Sequence, residues 1–206
     1  MPRNHLLLAI TATVLVACSP LPRQGEALRT ATVCCNSISE LPIAGRLEVA
    51  PATFEITEQT RLFDFPQGRS YFAAVGIKPG TRRKLELRTW NRGNAKLDEQ
   101  IFCPVLTLLD ANKQMIRTME LGTMEFTRAG LIESASFSQV VELPETAEYV
   151  VVHSPADMLG HNLVARLSQP GRMAMVGSSA YFTPGSDFVR ARCGQQGRVT
   201  LVLHDS

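Results

Sequence analysis

The sequence predicts an all-β fold: a single β-sandwich, jelly-roll or immunoglobulin-like, with at most one short helix. Three observations lead there. Apolar residues alternate with polar ones over short runs, the period of a half-buried strand. Clusters of Gly, Pro, Asn and Asp break those runs about every ten residues, a turn spacing typical of sandwiches. Helical periodicity is confined to one stretch, ADMLGHNLVARLS at 156–168.

The elements follow in order. TFEITE (53–58) sets Phe54 and Ile56 against polar neighbours, and RLFDF (61–65) puts Phe63 and Phe65 on one side. After the turn PQG, SYFAAVGI (70–77) is a mostly apolar strand ended by KPG. RKLELRTW (83–90) alternates Leu85 and Leu87 with Lys84, Glu86 and Arg88. IFCPVLTLL (101–109) is apolar enough for a buried strand, and Pro104, which cannot donate to a ladder, marks an edge or bulge within it. DANKQ is a turn, with MIRTME (115–120) as the hairpin partner. ASFSQVVEL and EYVVVHS flank PET as a second hairpin. DFVRARC and RVTLVL flank GQQG as a third.

The N-terminus reads as an address. MPRNHLLLAITATVLVACS places Arg3 and His5 before an apolar run from Leu6 to Ala17, the parts of a secretory signal. That run is about 12 residues, short of the ~20 a helix needs to span a bilayer. Its exit, Leu15-Val16-Ala17-Cys18, resembles a bacterial lipobox, in which the cysteine is lipidated and the chain cut before it. The alternative is an ordinary signal peptide with an incidental cysteine. One acyl chain binds a bilayer marginally and two bind stably, so a lipidated Cys18 is a lasting anchor. Ser19 in place of aspartate resembles lipoproteins sent to the outer membrane, facing the periplasm. Three segments are thus expected: a signal peptide at 1–17, a lipidated tether at 18–33 and a sandwich domain at 34–206. The tether, SPLPRQGEALRTAT after Cys18, shows no apolar periodicity and is expected to be unstructured. Fully extended it would reach at most roughly 45 Å.

Composition excludes several classes. Residues 18–206 carry 20 Lys and Arg against 19 Asp and Glu, without the basic excess of a nucleic-acid binder. RRK at 82–84 is the one basic cluster and reads as a solvated strand face. Cys34, Cys35, Cys103 and Cys193 make an even number, which in an oxidising compartment suggests two disulfides. No Cys-x-x-Cys or Cys-x-x-His spacing offers a metal site. Adjacent Cα atoms lie about 3.8 Å apart, below the usual ~4.4 Å minimum for a bridge. Of the three possible pairings, those joining Cys34 and Cys35 each to a distant cysteine are therefore expected.

The order FDFPQGRSYFAAVGIKPGTRRKLELRTW, then CPVLTLLDANKQMIR, then ETAEYVVVHSP is similar to the maltose operon periplasmic protein family. LSQPGRMAMVGSSAYFTPGSDFVRARCGQQGRVTLVLHD resembles the closing part of that family's core. The likeness runs from about residue 52 onward, although the lipobox and the four further cysteines depart from it. The first half also resembles the jelly-roll modules appended to secreted proteases. The maltose operon resemblance implies an exported accessory protein linked to maltodextrin uptake, with maltodextrin or a sugar-transport component as partner. It implies no catalytic residues.

By residue type the chain reads as a non-enzyme that needs no cofactor. His153, His161 and His204 are scattered and form no His-Glu-x-x-His. His153 ends an apolar strand and reads as a satisfied edge residue. VGSSAYF (176–182) lacks the Gly-x-Ser-x-Gly elbow and reads as a polar loop. Asp98 and Glu99 are adjacent loop acids rather than the spaced pair of a glycosidase. Trp90, the only tryptophan, stands at a strand end beside NRGNAKLDE. With Asn91, Asn94 and Tyr181 it offers a ring and amides for stacking a sugar; packed in the core it would be structural. Two functions of different class follow: a carbohydrate-binding or uptake-accessory lipoprotein, or a structural envelope lipoprotein without a sugar ligand.

Overall fold

The computed structural model describes residues 20–48, 50–77, 83–90, 100–129, 134–167, 172–176, 179–183 and 188–205. In chain order the elements are α1 (Pro20–Thr30), β1 (Arg46–Leu47), β2 (Ala52–Ile56), β3 (Leu62–Phe65), β4 (Gly68–Ile77) and β5 (Arg83–Trp90). There follow β6 (Gln100–Phe102), β7 (Val105–Leu109), β8 (Met115–Glu120), β9 (Met124–Thr127), β10 (Ser136–Leu143) and β11 (Tyr149–His153). The last are β12 (Asn162–Leu167), β13 (Arg172–Val176), β14 (Ser179–Thr183), β15 (Phe188–Gly194) and β16 (Gly197–Asp205). They build the expected all-β sandwich with one short α-helix. One sheet runs β1-β4-β11-β7-β8, with β3 also on β4; the other runs β2-β16-β5-β10-β9-β12-β15-β6. β13 and β14 form a separate two-stranded ribbon.

The two sheets enclose the main core. Leu85 and Leu87 from β5 meet Leu106 and Leu108 from β7 and Val150 and Val152 from β11. A second, smaller core lies on the outer side of the six-stranded sheet. There Leu41, Phe63 and Phe65 cover Phe72, Leu109 and Val151. Both faces of β7 and β11 are therefore buried, which is why their sequences are continuous apolar runs rather than alternations.

Several expectations are corrected. Residues 20–30, read as unstructured tether, form α1, and Leu28 on it is 2 % exposed within the main core. Arg69 fixes the helix end, donating to the carbonyls of Arg29 (3.1 Å) and Leu28 (3.4 Å) while paired with Asp64. A cation there satisfies the orphan carbonyls and the negative helix terminus. The stretch 156–168, read as helical, is a 3-10 turn at Ala156–Met158 followed by β12. Gly160 at φ 81° ends that turn, and the Gly160 N–H to Cys193 carbonyl bond (2.9 Å) starts sheet pairing.

Two expected hairpins are crossovers. β10 pairs with β5 and β9, whereas β11 pairs with β4 and β7, so the PET turn carries the chain from one sheet to the other. β15 pairs with β12 and β6, and β16 with β2 and β5, so GQQG is no hairpin loop. The run 101–109 likewise divides at Cys103-Pro104, with β6 in one sheet and β7 in the other. The β7–β8 hairpin forms as read.

The disulfides are Cys34–Cys35 and Cys103–Cys193, which corrects the long-range pairing expected for Cys34 and Cys35. Parallel pairing of β15 with β6 sets Cys193 opposite Ile101, bringing Cys103 within a Cα separation of 5.2 Å. Both are fully buried. Cys34 is exposed on the strap over the outer core, where its N–H bonds the Leu62 carbonyl at 2.8 Å, and Cys35 is its only near thiol among the described residues. Both bridges, both cores and all of these elements lie within residues 20–205, so that span carries the complete sandwich.

Candidate functional site

The alternation in β5 decides what faces solvent. Leu85, Leu87 and Thr89 point into the sandwich, and Lys84, Glu86, Arg88 and Trp90 point out. β16 lies beside β5 with Arg198 opposite Trp90, Thr200 opposite Arg88, Val202 opposite Glu86 and His204 opposite Lys84. On the other side, β10 sets Ser136 opposite Trp90 and Ser138 opposite Arg88. The result is a broad outward face, polar except for Trp90, Val202 and Val140, the last 54 % exposed.

Trp90 is half-buried on this face and does not belong to the core. Its Nε1–H donates to Thr200 Oγ1 at 3.0 Å, and that hydroxyl also shares a hydrogen bond with Thr53 at 3.0 Å. The indole edge is thereby fixed while part of the ring remains accessible. Beside it Arg198 pairs with Glu55, and Arg88 with Glu86. His204 Nε2 lies 3.0 Å from the second oxygen of Glu86. Burial pushes the Glu86 carboxyl up, but the hydrogen bonds of Arg88 and His204 outweigh it and hold the group below its usual range. An anchored ring flanked by fixed hydrogen-bonding groups can stack on an apolar ligand face and bind the polar rim around it.

The remaining residues of the expected platform cannot be placed against Trp90 from the described residues. Asn91 and Asn94 lie outside the described residues. Tyr181 is on β14, opposite Ala174 in the separate ribbon, and its side chain is likewise outside what is described. Cys18 also lies outside the described residues. The neighbours that β16 contributes (Arg198, Thr200 and His204) were missed by sequence reasoning. Alternation in RVTLVLH sets them on one face, but an expected β15–β16 hairpin hid their adjacency to β5.

Two other polar places are structural. At the far end of β5, a cleft of about 620 Å³ is lined by Arg83, Lys84, Arg117, Glu142 and Glu145. Arg83, expected to face solvent within RRK, is instead 6 % exposed and donates to the Ala147 carbonyl at 3.0 Å. Arg117 donates to the Glu142 carbonyl at 3.0 Å. The cleft's arginines thus brace the crossover after β10. His153, expected at an edge, sits on the central strand β11 and is wholly buried, stacked on Phe65 with ring centroids 3.8 Å apart. Its Nε2 shares a 3.0 Å hydrogen bond with Thr107, and burial pushes its pKa down to about 3. It is a neutral core residue.

Among the described residues no three His, Cys, Asp or Glu side chains converge as a metal site, and no helix is long and apolar enough to cross a membrane. No family model, curated protein or solved structure matches the chain.

Proposed function

We propose that this chain is a non-catalytic lipoprotein of the outer membrane, anchored through Cys18, whose outward β5–β16 face binds a neutral carbohydrate in the service of its uptake. The observation that carries the reading is Trp90: a half-buried indole on an outward sheet face, its N–H held by Thr200. A ring held this way meets a pyranose face without first losing side-chain freedom, which lowers the cost of binding. Export is supported by the lipobox-like Leu15-Val16-Ala17-Cys18 and by the buried Cys103–Cys193 bridge, which suits an oxidising compartment. The choice of linear glucans as ligand rests on the resemblance alone. In the alternative reading the same face contacts another envelope component.

The test uses the single tryptophan. Titration with linear malto-oligosaccharides should shift Trp90 fluorescence saturably and release no product on prolonged incubation. Followed by calorimetric titration, since these variants lack the fluorophore, binding should be weakened in Trp90→Phe and abolished in Trp90→Ala, with thermal unfolding still cooperative in both. Unchanged fluorescence across the series would remove the sugar reading. Labelled fatty acid that enters wild type but not Cys18→Ala would support the anchor; label in neither would remove it.

A further inference from the structure

We propose that the outward face of β12 and β15 docks on an anionic lipid surface, with Arg166, Arg190 and Arg192 meeting the headgroups and Phe188 entering the acyl boundary. The register sets six exposed side chains in three cross-strand pairs: Asn162 with Arg192, Val164 with Arg190, and Arg166 with Phe188. None of the six is acidic. The neighbouring strands add Glu125 opposite Arg166 and Gln100 opposite Arg192. No ion pair or hydrogen bond holds any of the three guanidinium groups among the described residues, Glu125 included.

Like charges crowded on adjacent strands repel, so the arrangement is unfavourable until an anion meets it. Elsewhere on this sheet the outward arginines Arg88 and Arg198 are each paired with a glutamate. The same patch carries two exposed apolar side chains, Val164 at 39 % and Phe188 at 52 %. Basic groups interleaved with apolar ones on an outward strand face fit an anionic bilayer, where each arginine contributes roughly fivefold. A small anion would instead be held in a concave site.

Position favours lipid over an acidic protein, and this step alone rests on the anchor reading above. Gly25 of α1 packs at Leu159, just ahead of β12. Five helical residues and two extended ones separate Gly25 from Cys18, a reach of roughly 15 Å. A chain anchored at Cys18 therefore holds the Leu159 turn and the Asn162 end of β12 close to the bilayer, since docked α1 leaves little free tether.

The test uses residues 20–206, which carry the whole sandwich and lack Cys18, so its outcome is independent of lipidation. Sedimentation with phosphatidylcholine vesicles, with and without phosphatidylglycerol, should show binding only to the anionic set, lost as salt is raised. Arg166→Gln with Arg190→Gln should lower the partition coefficient roughly 25-fold. Phe188→Ser should lower it further, and because all three positions are exposed, circular dichroism should remain that of wild type. Equal binding to both vesicle types, or a double variant that binds like wild type, would overturn the proposal. Binding to soluble polyglutamate but not to anionic vesicles would overturn it in favour of an acidic protein partner.

Discussion

Acid should destabilise this protein through His153 well before its carboxylates respond. The imidazole is buried, stacked on Phe65, and held by burial at a pKa of about 3. In the unfolded chain it returns to ~6.5. Because the folded value is the lower one, the unfolded state alone takes up the proton, so stability is lost as pH falls from ~6.5 towards 3. Between pH 7 and pH 5 the loss is about 2 kcal/mol. Asp64 and Glu86, whose folded pKa values are also lowered, lose their contribution only as pH falls below their ordinary values of 3.8 and 4.5. The interval from pH 7 to pH 5 therefore isolates the histidine. Urea unfolding at both pH values should give wild type a drop about 2 kcal/mol larger than His153→Gln, whose amide takes no proton. His161 and His204 cancel in that comparison. The His153 ring proton shift in wild type should stay constant over the same interval. Equal pH dependence in both proteins, or a His153 resonance that titrates near pH 6, would refute the argument.

Two further outcomes are expected. Replacing Cys103 and Cys193 by alanine should cost roughly 2–5 kcal/mol, because that bridge spans 90 residues of chain, whereas replacing Cys34 and Cys35 by serine should cost less than ~1 kcal/mol, because theirs spans one. Urea unfolding of both double variants, with peptide mapping of unreduced wild type, checks energies and pairing together. Gly197→Ala should destabilise by about 1–3 kcal/mol, since its Cβ would stand 2.6 Å from the Cβ of Phe102, while Gly122→Ala meets nothing within 4 Å and should be near neutral. Thermal melts of the pair measure the difference.

Much of the strand content was legible because alternation is local. RKLELRTW is the strand Arg83–Trp90 to the residue, and, although only the structure decided that Trp90 points out, its pattern sets Leu85 and Leu87 inside. The same holds for the β7–β8 hairpin, whose turn and partner are contiguous. What failed was adjacency. PET and GQQG have the composition of hairpin loops, yet PET carries the chain to the other sheet and GQQG carries it to a non-adjacent strand of the same sheet, because the partner of the next strand is decided by where its apolar face can be buried. β11 is apolar on both sides and is accommodated only in the sheet whose outer surface Phe63, Phe65 and Leu41 cover. The cysteine pairing failed for the same reason, since the parallel β15–β6 contact that brings Cys103 to Cys193 joins segments some 90 residues apart. The helix at 20–30 lacks a clear apolar stripe, and among the described residues it is held by tertiary means, the buried Leu28 and the Arg69 guanidinium at its end. Sequence by itself determined the class of fold and most of the strands, both written in short-range patterns. Tertiary structure decided the order of strands, the thiol partners and the neighbours of Trp90, because long-range pairing is set by competition for buried surface over the whole chain.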